Sequence, residues 1–135
     1  MDIKKFENSL IAFDFESEYV NATDMLRSYP IKRMNDFLKL DSTIAFIHAM
    51  KSDSEISRIT ENEPITIIKG NYSDGRSQGT WMHRILALRF AAWLNPEFEL
   101  FIYKVFDQVM REKFESQQRQ LDYFWDKSDQ KDLYK

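Results

Sequence analysis

Three cations and an amide lie within residues 31–40, which read IKRMNDFLKL. At helical spacing, Lys32, Arg33 and Lys39 would place positive charge on an outer face, where it could contact phosphate oxygens. Asn35 would add an amide that can pair with adenine in the major groove of DNA. The pattern predicts a DNA-reading helix, and a solvated basic face without any ligand has the same pattern.

A second group of polar and basic residues surrounds a predicted hairpin tip at 73–75, where Ser-Asp-Gly favours a turn. Such a hairpin could track phosphates or a neighbouring groove while the helix occupies the first groove. The members of this group are Lys69, Asn71, Tyr72, Arg76 and Gln78.

A short helix before residue 30 supplies two more candidate contacts, Thr23 and Arg27. Together with 31–40 and the tight turn at 28–30, this helix has the dimensions of a helix-turn-helix unit. A DNA contact by Thr23 and a purely local hydrogen bond are equally compatible with the sequence. Arg84, just after the second hairpin, adds a further positive charge near these groups.

The composition is that of one folded domain. The chain has 135 residues, of which 43% are apolar, enough to bury a core. It contains no cysteine, and no apolar run approaches the roughly 18 residues of a membrane span. We therefore expect a cytoplasmic protein, in a bacterial or infected host cell, that does not engage a membrane.

The net charge of −3 argues at first against a polyanionic partner. The charge is uneven, however, because 65–89 carries four basic residues against Asp74 alone. Basic character confined to one region is what a DNA-facing surface requires.

Hydrophobic periodicity and turn residues predict the elements that position these groups. Asn21 and Asn95 are suited to cap helices, and Pro96 fits a first helical position. The predicted elements in chain order are a strand at 10–15, a return strand at 19–20, helices at 22–27 and 31–40, a helix from Asp41 or Ser42, strands at 65–69 and 77–81, a helix containing Ile85, Leu88 and Ala92, and a last helix from Pro96 that fades after about 115.

Catalysis finds little support in the sequence. The two histidines, His48 and His83, lack metal-ligand spacing, and no glycine-rich phosphate loop is present. His83 at a helix start is better suited to capping than to binding a metal. We therefore expect no catalytic residue, no metal and no cofactor, and hence a protein that is not an enzyme.

Three ordered motifs resemble those of the KilA-N domain of bacteriophages and large DNA viruses, over roughly residues 10 to 110. One departure is Arg84, where many members of that family have proline, and another is the absence of glycine at 16–18. The matching residues are Asn21, Ala22 and Thr23, then Gly79, Thr80, Trp81 and His83, then Pro96, Glu97 and Phe98.

The resemblance implies a DNA-binding module related in fold to the APSES domains of fungal transcription factors. We expect an α+β fold, a small winged helix-turn-helix-like domain with two β-hairpins and about five helices. Residues 1–112 would form the DNA-binding domain, and 113–135 a helical arm or frayed tail. The expected function is binding of double-stranded DNA, with transcriptional regulation in a phage, prophage or viral setting.

The main alternative is a protein-interaction module of the antirepressor type. Phe124 and Trp125 near the end of the last helix could capture a regulator, and the net acidity of the chain favours this reading. The same helix could also pair two copies of the chain, which would let a short reader bind two half-sites.

Overall fold

The computed structural model describes residues 1–61, 63–70 and 77–133, and describes side chains as far as Asp126. Within these residues the chain forms five strands and six helices. The strands are β1 (Asp2–Phe6), β2 (Ser9–Asp14), β3 (Tyr19–Asn21), β4 (Ile65–Ile68) and β5 (Gly79–His83). The helices are α1 (Ala22–Leu26), α2 (Met34–Leu38), α3 (Asp41–Ser52), α4 (Ser54–Thr60), α5 (Arg84–Leu94) and α6 (Pro96–Leu133).

All the described strands join one antiparallel sheet in the order β1-β2-β3-β5-β4. The two predicted hairpins are therefore not separate, because β3 pairs with β5, Val20 opposite Met82. The predicted α+β fold class is confirmed. This pairing brings the start of α1, which follows β3 directly, beside the second hairpin.

Two elements went unpredicted because they bury little apolar surface. Strand β1 is an edge strand whose residues are mostly exposed, so its sequence DIKKF lacks the alternation of a half-buried strand. Helix α4 is likewise largely exposed. Its start is nevertheless marked in the sequence by Asp53, whose carboxylate caps the helix by accepting from the amides of Glu55 and Ile56.

The alternating apolar pattern of residues 10–15 predicts a strand buried on one face only, and this prediction is wrong at Ala12. Ile11, Ala12 and Phe13 are all buried. Ala12 packs in a cluster with Tyr19 and Trp81, while the neighbouring residues face the other side of the sheet. Strand β2 is therefore covered on both faces over residues 11–13, with the small side chain of Ala12 in the cluster that contains Trp81.

The predicted helix starts at Asn21 and Asn95 are confirmed, because both side chains form capping hydrogen bonds. The Asn21 side chain accepts from the amide of Asp24, and Asn95 accepts from the amides of Glu97 and Phe98. At the turn before β3, where glycine is missing, Glu18 itself takes a left-handed conformation with φ 66°. The chain thus makes this turn without glycine, at the cost of some backbone strain.

The long helix α6 runs past the point where its apolar pattern was expected to fade. Contacts divide the chain into two compact units, Met1–Ile102 and Tyr103–Lys135. The first unit holds the whole sheet and helices α1 to α5. Among the described residues, no helix has the length and apolarity needed to cross a membrane.

His83 caps α5 in its neutral form, as its position at a helix start suggested. Its Nδ1 atom accepts from the amide of Ile85 at 3.3 Å, and the ring is only 1% exposed. Burial lowers the pKa of His83, an effect that nearby Glu18 opposes and Arg84 reinforces. At neutral pH the ring therefore remains an acceptor.

The stability of the fold should consequently fall in mild acid. The unfolded chain binds a proton at His83 near pH 6.5, whereas the folded chain does so only at lower pH. The stability due to neutral His83 is complete above about pH 6.5 and is lost as the pH falls through the lowered folded pKa. We expect His83→Asn, which keeps a capping acceptor, to show a smaller drop in Tm between pH 7 and pH 5 than the parent chain. Parallel Tm curves for the two proteins would contradict this assignment.

Candidate nucleic-acid interface

The base of the β4–β5 hairpin is tied to the start of α1 by Asn21, whose side chain is fully buried. The amide nitrogen of Asn21 donates to Ser77 Oγ at 3.2 Å and to the Gln78 carbonyl at 3.1 Å. Its oxygen accepts from the Asp24 amide at 3.1 Å. One side chain thus fixes both the helix start and the second hairpin.

Thr23 forms a second link between the same two elements. Its Oγ1 atom accepts from the backbone amide of Thr80 at 3.0 Å, and the residue is half-buried. The local hydrogen-bonding role that the sequence allowed is therefore present. Because a hydroxyl that accepts one bond can still donate its own hydrogen, this position is also chemically suited to a phosphate oxygen.

Lys69 and Gln78 lie at the base of the hairpin, beside this linkage. Ile68 of β4 pairs with Gly79 of β5. Lys69 follows Ile68 and Gln78 precedes Gly79, so each lies one residue beyond this pair on its own strand. Both are exposed. The other predicted members of this group, Asn71, Tyr72 and Arg76, lie outside the described residues.

Arg27 follows α1 and forms an ion pair with Asp24, whose carboxylate lies 3.0 Å away. The second carboxylate oxygen of Asp24 accepts from the amide of Ala12 in β2. Burial raises the pKa of Asp24, against the opposing effects of the Ala12 amide and Arg27. The guanidinium of Arg27 therefore balances a buried carboxylate, while its side chain remains 63% exposed.

Lys32 has a structural role that its sequence position did not reveal. Its ammonium donates to the carbonyl of Trp93 at 2.8 Å and lies 4.5 Å from the centre of the Trp93 ring. Lys32 also lines a shallow depression with Thr23 and Arg27. The structure thus brings three predicted residues together, although the Lys32 charge is partly used to hold the α1–α2 connection on α5.

Helix α2 presents its polar face to solvent. Asn35 and Lys39 are exposed and four residues apart, and Arg33 immediately precedes the helix. Asp36 is exposed on the same side and reduces the local positive charge. On the other side, buried Phe37 packs against Phe90 and Trp93 of α5, with ring centres 4.9 and 5.6 Å apart.

Arg84 is set apart from the other candidates. It follows β5, at the opposite end of that strand from Gln78. Its Nε atom lies 3.5 Å from a carboxylate oxygen of Glu18, and its backbone amide donates to the Glu18 carbonyl. Arg84 therefore serves the turn before β3, and the structure does not bring it to the base of the second hairpin.

Arg89 contributes to the basic character of residues 65–89 but was not predicted to lie at the interface. It is exposed on α5, with its guanidinium 4.8 Å from the ring centre of Phe46. It lines a second depression together with Phe37 and Trp93, the residues that anchor α2. The one feature of the sequence that indicates that Arg89 lies near α2 is its position on α5, one turn before Trp93.

A comparison with models of protein families matches the KilA-N domain over residues 4–112. Neither the curated proteins nor the solved structures contain a match to the chain. The family match covers the sheet except the first two residues of β1, helices α1 to α5 and the first part of α6. The chain therefore belongs to the KilA-N domain family, a family of DNA-binding domains and not a class of enzymes.

Proposed function

We propose that the chain binds double-stranded DNA as a winged helix-turn-helix variant, related to the APSES fold. Helix α2 would enter the major groove, and the β4–β5 hairpin would contact the neighbouring backbone. The observation that carries this proposal is the Asn21 linkage, because it fixes the hairpin base to α1. The hairpin and α1, the first helix of the proposed helix-turn-helix unit, would therefore move together, which lowers the ordering cost of binding DNA.

The exposed side chains of these elements have the chemistry that DNA requires. Arg33 and Lys39 flank α2, and Lys69 stands at the hairpin base, so cations lie on both proposed contact elements. Asn35 provides an amide between the two α2 cations, suited to a base edge. Phosphate contacts would supply most of the affinity, and Asn35 would supply part of the sequence preference.

The proposed biological role is transcriptional regulation in a phage, prophage or viral setting, within the cytoplasm of a bacterial or infected cell.

An antirepressor that captures a regulator remains the second candidate. It is supported by exposed aromatic residues on α6, including Phe124 and Trp125, which form an edge-to-face pair. Truncation after about residue 112 separates the two: the DNA reader would keep duplex binding, and the antirepressor would lose its partner.

The salt dependence of binding tests the DNA proposal. We expect Lys39→Gln and Lys69→Gln each to reduce the slope of log affinity against log salt by about 0.9, the value for one phosphate contact in B-DNA. Fluorescence anisotropy with a random-sequence duplex, over a series of salt concentrations, measures this slope.

Lys5→Gln is the matched control for these two variants. Lys5 is exposed on β1, at the opposite edge of the sheet from β4, and it should leave the slope unchanged. If all three variants give the parent slope, the proposed contact surface is wrong. If the parent chain fails to bind any duplex at low salt, DNA binding itself is refuted.

A further inference from the structure

The second unit carries an apolar stripe on an exposed side of α6. Its residues are spaced alternately four and three apart: Met110, Phe114, Gln117, Leu121 and Phe124. All of these except Gln117 are apolar. Tyr103 lies seven residues before Met110, and the position between them in the same spacing is Asp107, which forms an ion pair with Arg111. Their side chains are between 43 and 65% exposed: Tyr103, Met110, Phe114, Leu121 and Phe124.

Alternating intervals of four and three residues are the spacing of a coiled-coil seam. We propose that this stripe pairs with the same stripe on a second copy of the chain. The interface would run over residues 103–124, about 33 Å of helix at the usual rise per residue. This inference goes beyond the proposed DNA binding and does not depend on it.

The exposed area is sufficient for a stable pair. A fully buried aromatic side chain covers about 150–250 Å², so five large side chains that are half to two-thirds exposed offer roughly 500 Å² per helix. Two copies would then bury about 1,000 Å², which is the lower bound for a specific interface. Packing of an apolar face supplies most of the stability of helices in proteins, so pairing would stabilise this part of α6.

Charge and symmetry favour a second copy over an unlike partner. Gln117 occupies the middle of the stripe, where its amide can hydrogen-bond to the same residue of the other copy in a parallel arrangement. The charges on this part of the helix are nearly balanced, so two identical helices would not repel strongly. They are Lys104, Arg111, Lys113 and Arg119 against Asp107, Glu112, Glu115, Asp122 and Asp126.

Sedimentation of the full chain tests the proposal. We expect a species of twice the 16.2 kDa chain mass at about 100 µM, and a dimer at least 100-fold weaker in the double variant Phe114→Glu/Leu121→Glu. The matched control is Tyr123→Glu. Tyr123 and Phe124 are both 63% exposed, but Tyr123 lies on the opposite side of the helix, so its variant should remain dimeric.

Oxidative crosslinking gives a readout that does not depend on charged substitutions. The chain has no cysteine, so Gln117→Cys introduces a single thiol in the stripe and Arg119→Cys introduces one on the opposite side. We expect the first variant to form a disulfide-linked dimer and the second to stay monomeric under mild oxidation.

A parent chain that is monomeric at 100 µM, or equal crosslinking of the two cysteine variants, would overturn the proposal. A monomeric parent would also leave the stripe open to an unlike partner, as the antirepressor reading requires. The salt slope of DNA binding is measured separately. Failure of self-association and failure of DNA binding are therefore distinguishable.

Discussion

Replacing Gly79 by alanine is expected to destabilise the folded chain by about 2–4 kcal/mol, from backbone strain and steric overlap together. Gly79 has φ 147°, a conformation that side chains disfavour. A Cβ atom there would lie 2.6 Å from Oδ1 and 2.9 Å from Nδ2 of Asn21. Asn21 is fully buried and holds three hydrogen bonds, so it cannot move aside without breaking them.

Gly70→Ala is the matched control for this substitution, because Gly70 also has a positive φ, of 77°. A Cβ atom at Gly70 would meet no atom of the described residues within 4 Å. The cost should therefore be backbone strain alone, about 1 kcal/mol. Urea denaturation of both variants gives the comparison, and equal losses would show that the Asn21 contact is unimportant.

A double variant extends the test to the coupling itself. Asn21→Ala should destabilise the chain by itself, since it removes the α1 cap and the bonds to the hairpin base. In Asn21→Ala/Gly79→Ala the steric overlap is gone, so the combined loss should be smaller than the sum of the two single losses. Strict additivity would mean that Gly79 and Asn21 act independently.

Truncation of Phe37 to alanine is expected to cost about 3–5 kcal/mol in the free energy of unfolding, as for other large aromatic residues in cores. Phe37 is 1% exposed and supplies the apolar anchor of α2. Its ring packs between Phe90 and Trp93, which belong to α5. Loss of this anchor should displace α2 and, with it, Asn35 and Lys39.

Ile31→Ala provides the control for this truncation within the same segment. Ile31 is 93% exposed, and its truncation should change stability by no more than about 0.5 kcal/mol. We also expect Phe37→Ala to weaken duplex binding while Ile31→Ala leaves it unaltered. A loss below about 1 kcal/mol for Phe37→Ala would show that α2 does not depend on this packing.

The features that could be predicted from sequence are those determined by near neighbours. The capping bonds of Asn21 and Asn95 reach only two or three residues along the chain, and Pro96 begins a helix because of its own ring. Strand β4 was recognisable from its β-branched residues, and β5 from the turn-favouring residues Ser-Asp-Gly that precede it in the sequence. The family resemblance is confirmed by the match over residues 4–112.

The features that escaped prediction depend on contacts between distant residues. The bond from Lys32 to the Trp93 carbonyl spans 61 positions, and the bond from Asn21 to Gln78 spans 57. No local pattern indicates such partners, so Lys32 seemed as available to DNA as Lys39. Strand β1 escaped for a different reason, because an exposed edge strand has little apolar periodicity to detect.

The dual attachment of Asn21 has a consequence for changing the DNA sequence that this domain would prefer under the proposed function. Since the buried amide of Asn21 holds both the start of α1 and the base of the β4–β5 hairpin, neither element can change its orientation independently of the other. Under the proposed function, a change of preferred sequence would be most accessible through solvent-facing substitutions, such as those at Asn35, on an unaltered framework. The buried framework would stay fixed, and the exposed side chains on it would determine which DNA sequence is preferred.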